Sequence, residues 1–308
     1  MPLCVKMEKN QSGLTPQQIR QYNSETLRLL SLYLNLAADT VTPEIVTGIA
    51  AETGVSREYA YASVLAAVCG LETAGCDRAY FENYFLPMIK EEEISAYESD
   101  AYFRKIVFPQ KVRGRWEWRT MHLPACEAFV RRDFRVFPDG RMIPQLGYFM
   151  REYTYPAVLE NGREWMTLMP NETATTLPAV KKAVGRVLTF GLGLGYFAFH
   201  ASEKPDVSGV TVVELSAEAA SLFCEEILPQ FPHREKVRVV TADAFDFLDR
   251  TMREDEYDFV FADIWHDVKD GRELVRRFRT RETRFPHTRF SYWLEDTIRC
   301  YENAALWP

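Results

Sequence analysis

Glycines at alternate positions, Gly191, Gly193 and Gly195, separate an apolar run at 187–190 from a second apolar run at 196–201. The first run has strand character and the second fits a helix. Glycines so spaced let the backbone turn sharply and leave room where a Cβ would collide with a bound group. A helix starting directly after the loop turns its unpaired N–H groups toward that group. The chemistry is that of a ligand cradle. A dinucleotide fingerprint would require glycine at position 196, where Tyr196 stands. A phosphate loop of the Walker type would require Gly-Lys-Ser/Thr, which is absent here. Glycine-rich turns also serve plain packing.

Acidic residues close the later apolar runs. Residues 209–215 (GVTVVEL) read as a strand ending in Glu214, and 236–242 (KVRVVTA) as a strand followed by Asp243 and Ala244. Residues 257–263 (YDFVFAD) read as a strand ending in Asp263, with His266 and Asp267 just beyond. Singly, such acids cap helices or face water. In this order, at intervals of βαβ length, they describe a parallel sheet. Open α/β sheets bind ligands beyond the carboxyl ends of their strands, near the reversal of strand order. A helix at 270–281, a fifth strand at 287–292 and a final helix at 293–303 follow. There is no room for both a sixth and a seventh strand. The sheet therefore stops at five, or is completed by N-terminal segments or another subunit.

The glycine loop together with these acids resembles the class I S-adenosylmethionine (SAM)-dependent methyltransferases. The resemblance implies a doubly wound, Rossmann-like α/β domain with SAM as cofactor. It implies in-line transfer of the sulfonium methyl to an N, O or C nucleophile of an unidentified small-molecule acceptor. By the same resemblance Gly191, Gly193 and Gly195 cradle the methionine part, and Glu214 holds the ribose with Leu215 beside it. Asp243 and Ala244 meet the adenine. Asp263 sits nearest the reacting centre, and His266 and Asp267 are candidates for a base or substrate contact. Many family members carry Asp or Glu two residues before the first glycine, where this chain has Thr189. Asp263 or Glu172 would then meet the SAM amino group. Asn171-Glu172-Thr173 lies just ahead of a helix expected over 175–183, where an N-cap cluster is the competing reading.

A β-rich piece ahead of such a domain is similar to the spermidine synthases, which makes aminopropyl transfer the alternative. Against it, the loop has Leu192 and Leu194 where those enzymes place an acid, and the D-S/T-x-D-P pattern is missing after Asp263. A third reading is a non-catalytic SAM-binding scaffold.

The elements that position these residues begin with a helical stretch over 15–106. Thr15-Pro16 starts a helix along which Leu27, Leu30, Leu34 and Ala38 recur at helical spacing. Thr42-Pro43 opens a second, Ser56 caps a third, and a fourth is expected over 77–90. Residues 43–70 have the outline of a helix-turn-helix, yet no Lys or Arg follows Arg57 before Arg78. A packed hairpin, lid or homodimer surface is expected there, not a nucleic-acid reader. Residues 91–93 read as a solvated connection. Residues 111–170 are rich in aromatics, with turn signals at 137–140 and 159–162, and are expected to form a small antiparallel sheet. The reading is thus a helical part (1–110), a β subdomain (111–170) and a SAM-binding domain (171–308).

The net charge of −7 argues against a general nucleic-acid or anionic-membrane binder, and the arginines from Arg272 to Arg289 read as a solvated face. Six cysteines without a CxxC pair indicate neither a disulfide framework nor a metal site. A cytoplasmic protein is expected. No signal pattern opens the chain, and no run is long enough to span a bilayer.

Overall fold

The computed structural model describes residues 12–266 and 268–304, without the side chains of 36–39, 303 and 304. The chain forms two compact units. The first combines the segment ending at Glu92 with Pro124–Arg151 and the stretch from Arg299. Its long helix, Pro16–Thr40, opens on a reciprocal capping box: Gln18 N donates to Thr15 Oγ1 at 3.2 Å, and Thr15 N to Gln18 Oε1 at 2.9 Å. Helices Pro43–Thr53 and Arg57–Val68 follow, joined through Gly54 at φ +72° and capped by Thr42 and Ser56. The second helix of this pair buries Tyr61, Ala62, Leu65 and Ala66, as expected for a packed hairpin.

The helix expected over 77–90 is broken. Short α stretches, Arg78–Tyr80 and Leu86–Met88, flank a π turn at Phe81–Phe85. The wider turn lets Phe81, Tyr84 and Phe85 bury together, and Pro87 offers no N–H to continue the ladder. The chain then leaves as strand β1 (Ile89–Glu91). The acids after it are not a solvated connection: Arg57 Nε donates to Glu91 Oε2 at 2.8 Å, and Arg131 pairs with Glu92 at 3.2 Å.

Residues 111–167 supply two sheets, not one. Strands β2 (Lys111–Arg113), β3 (Trp116–Leu123), β6 (Tyr153–Glu160) and β7 (Arg163–Thr167) form an antiparallel sheet in the second unit. The hairpin β4 (Phe129–Val136) and β5 (Met142–Tyr148) instead joins β1 in the order β1-β5-β4. The division follows the side chains: Phe134, Met142 and Leu146 sit in the first unit's core, while Trp116, Trp118 and Val158 sit in the second's. Both expected turns form. At the second, Asn161 and Gly162 take φ +52° and +78°, the pair of positive values that a tight hairpin turn of matching twist needs.

The second unit spans Glu93–Leu123 and Glu152–Ile298. Its parallel sheet contains β8 (Gly185–Phe190), β9 (Val207–Glu214), β10 (Val237–Thr241), β11 (Phe259–Ala262) and β12 (Arg289–Tyr292). The order is β10-β9-β8-β11-β12, so among the described residues the sheet stops at five strands. Val187, Leu188, Phe190, Phe259, Val260 and Ala262 are completely buried, the signature of strands covered on both faces. Right-handed crossovers with this reversal of order wind helices onto opposite faces, giving a doubly wound, Rossmann-like α/β fold. Among the described residues no helix is long and apolar enough to cross a membrane.

Candidate functional site

The strand order reverses between β8 and β11, and the segments leaving those strands approach closely. A Cβ on Gly191 would lie 2.0 Å from the carbonyl oxygen of Asp263, and φ there is +93°. A Cβ on Gly195, at φ +82°, would lie 2.3 Å from the ring of Phe223. Around Gly193 nothing lies within 4 Å of such an atom. The outer glycines are thus demanded by the protein's own packing; the middle one opens onto empty space. The helix Tyr196–Glu203 starts at Gly195 with no side chain capping it, which leaves its N-terminus facing the loop.

Beside the loop lies an open hollow of about 50 Å³. Its polar lining includes Glu172, Thr176, Thr189 and Asp263, and its apolar lining includes Leu168, Phe197 and Phe261. Thr176 and Thr189 are themselves buried, at 5% and 2% exposure. Glu172 and Asp263 remain partly accessible, but the protein around them removes most of their water. That burial, with the Asp263 charge nearby, pushes the Glu172 carboxyl up to about 8. Burial pushes Asp263 up to about 7. Gly193 and Leu194 also line a second, smaller hollow of about 10 Å³ with Trp116, Trp118 and Phe223.

Glu172 arrives here because its helix starts earlier than expected. The helix is Pro170–Lys182, with Met169 at the N-cap and no side-chain cap, so Asn171-Glu172-Thr173 is its first turn and not a cap cluster. Proline at the first helical position is the sequence signal for that start. With the register fixed, Thr176 falls one turn beyond Glu172 on the same face. Trp293, just after β12, donates from Nε1 to Thr175 Oγ1 at 2.7 Å and ties this helix to the end of the sheet.

Among the strand-end acids, Glu214 is buried and already engaged: its Oε2 accepts from Leu192 N at 3.2 Å and its Oε1 from Ser216 N at 2.8 Å. It holds the glycine loop against the neighbouring strand. Asp243 caps the short helix Ala244–Asp246, its Oδ1 accepting from Phe245 N at 2.8 Å and Asp246 N at 3.0 Å. Ala244 is buried, whereas Leu215 is 71% exposed at the end of β9. His266 is exposed and does not line the hollow; Asp267 lies outside the described residues.

A support for the loop comes from residues that no local pattern marks. Tyr102 Oη donates to the carbonyl of Leu194 in a fully buried contact. Asp100 accepts from Tyr102 N at 2.8 Å and Tyr196 Oη at 2.8 Å, and pairs with His200 Nε2 at 3.0 Å. Burial works against the Asp100 charge, yet the His200 imidazole, the Tyr102 amide and the Tyr196 hydroxyl together hold its carboxyl below the ordinary value. Removing the Tyr102 hydroxyl (Tyr102→Phe) should destabilise the protein by about 1–3 kcal/mol, because the Leu194 carbonyl is left buried without a partner. Urea unfolding of the variant checks this.

No protein-family model matches the chain, and no curated protein matches it. Solved structures do. The O-methyltransferase TomG from Streptomyces achromogenes, in complex with SAM, is 18% identical over 37% of this chain and 49% of its own, with a TM-score of 0.28. An O-methyltransferase described as putative, from Klebsiella pneumoniae, is 17% identical over the same shares, with a TM-score of 0.29. Cofactor-bound Rv0187 from MTB is 22% identical over 37% of this chain and 49% of its own, with a TM-score of 0.29. The chain thus spans about half the length of these structures.

Proposed function

We propose that the second unit binds S-adenosylmethionine at the carboxyl ends of β8, β9, β10 and β11, and transfers its methyl group to a small-molecule acceptor. The observation that carries this reading is the hollow at the strand-order reversal, bounded by the glycine loop and by the carboxylates of Glu172 and Asp263. Thr176 and Thr189 add polar side chains to walls that are otherwise largely apolar, as a polar ligand site requires.

In this reading Gly193 is the point of closest approach to the ligand, since only there would a side chain enter open space. Glu172 and Asp263 receive the ammonium of the methionine part, the task left vacant by Thr189. Glu214 still has lone pairs for the ribose hydroxyls beside its two amide contacts. Oδ2 of Asp243, free of the cap that Oδ1 makes, faces the adenine amino group, with Ala244 and exposed Leu215 beside the ring. When bound, the sulfonium supplies a methyl that is already electrophilic. The chain's own residues then have to align it, keep water out and accept a proton where the nucleophile carries one. Asp263, at the end of β11 and on the wall of the hollow, is the residue we assign to that last role.

Calorimetric titration with SAM, S-adenosylhomocysteine and decarboxylated SAM tests the reading. Micromolar binding of SAM and S-adenosylhomocysteine is the expected result. Preference for the decarboxylated form would replace methyl transfer by aminopropyl transfer, and absence of binding by all three would end the proposal.

A further inference from the structure

The polar lining of the larger hollow has an unusual balance of charge. It contains the carboxylates of Glu172 and Asp263 and, among the described residues, no Lys, Arg or His. The remaining titratable group on its walls is Tyr196, whose hydroxyl is committed to Asp100. Strand β8 contributes Thr189, the loop contributes only backbone and apolar side chains, and helix Pro170–Lys182 adds Thr176. No ion pair in the protein neutralises either acid among the described residues. The buried residues Thr176 and Thr189 line the same space with their hydroxyl-bearing side chains. They can accept from a donor-rich group such as an ammonium but cannot cancel charge.

We infer that this corner selects its adenosyl ligand by net positive charge, and that the acid pair gives up a proton as the ligand enters. The inference rests on the reading of the hollow as an adenosyl-ligand site. Two carboxylates that line one poorly hydrated hollow do not both ionise readily when alone, so near neutrality the free site holds a proton. SAM, whose sulfonium leaves it positive overall beside its own ammonium and carboxylate, replaces that proton. The thioether product keeps the ammonium and carboxylate but loses the sulfonium, so it is neutral overall and brings no net charge to take the proton's place. The acid pair therefore holds the donor and releases the product.

The sign of the pH dependence follows. Both carboxyls titrate above their ordinary values, so the ligand-free fold gains from their neutral forms at low pH and loses that gain as pH rises through about 7 and about 8. Affinity for a cation moves the other way, rising over the same window. Titration calorimetry of the whole chain with SAM and S-adenosylhomocysteine, at pH 6 and pH 8 and in buffers of different ionisation heat, tests this. Expected are release of about one proton on SAM binding near pH 7, and a Kd for SAM about tenfold lower at pH 8 than at pH 6. At pH 8, SAM should bind about tenfold more tightly than S-adenosylhomocysteine. In Glu172→Gln, an isosteric change, both the proton release and the preference for SAM should shrink toward nothing. Equal affinity for the two ligands at pH 8, with no proton released, would overturn the inference while leaving the adenosyl site standing. Failure of either ligand to bind would remove the site itself.

Discussion

Gly191→Ala should destabilise the protein by about 2–5 kcal/mol, while Gly193→Ala should cost only about 1 kcal/mol and yet block SAM binding. The same substitution two residues apart separates packing from function. At Gly191 the new methyl would stand 2.0 Å from the Asp263 carbonyl oxygen, between two central strands that cannot part without tearing their ladder. The positive φ adds to that strain. At Gly193 the backbone is left-handed, at φ +54°, but the methyl meets nothing. Its cost in the free protein is the conformational one alone. If the ligand lies against this point, its loss of affinity should exceed a hundredfold. Urea unfolding beside calorimetric titration of both variants decides the matter: wild-type SAM affinity in Gly193→Ala would mean that no ligand crosses the middle of the loop.

Replacing Glu214 by alanine should cost about 2–4 kcal/mol of stability and reduce SAM affinity by at least about a hundredfold. The stability loss comes from the amides of Leu192 and Ser216, which would be left without their charged acceptor in a buried setting. The affinity loss has two sources: the loop is no longer fixed to β9, and the ribose loses its acceptor. Glu214→Gln separates these, since the amide oxygen keeps one backbone contact while its NH2 opposes the other donor. It should retain about half of the stability increment while binding SAM poorly. Chemical denaturation of the two variants, followed by titration with SAM, measures both effects. An alanine variant as stable as the parent would show that these contacts do not hold the loop.

Much of the second unit was legible in the sequence because its strands are short apolar runs with a charged or glycine-marked end. Runs beginning near Val187, Val210, Val237 and Phe259 contain little but β-branched and aromatic side chains, and buried parallel strands demand that. What escaped was whatever depends on distant partners. Ile89–Glu91 looks like the tail of a helix and becomes a strand only because Leu146–Tyr148 offers it an edge. Tyr102 and Asp100 support a loop 92 and 96 residues away, as no local spacing can announce. Glu172 lines the hollow, but from the first turn of a helix that begins at Pro170 and not from a segment ahead of a helix over 175–183. Glu214 and Asp243 carry backbone contacts that their ligand reading did not require, so each has an architectural role of its own.

The path of the chain has a consequence for how the molecule is made. It passes from one unit to the other after residues 92, 123, 151 and 298, so the earlier-synthesised unit includes Cys300, buried in its core, as one of its last pieces. On the ribosome that core lacks Cys300 until the segments of the second unit have been made. Neither half can be cut out as a contiguous fragment. A protease nick at a single crossing would leave each unit still threaded through the other's covalent continuity.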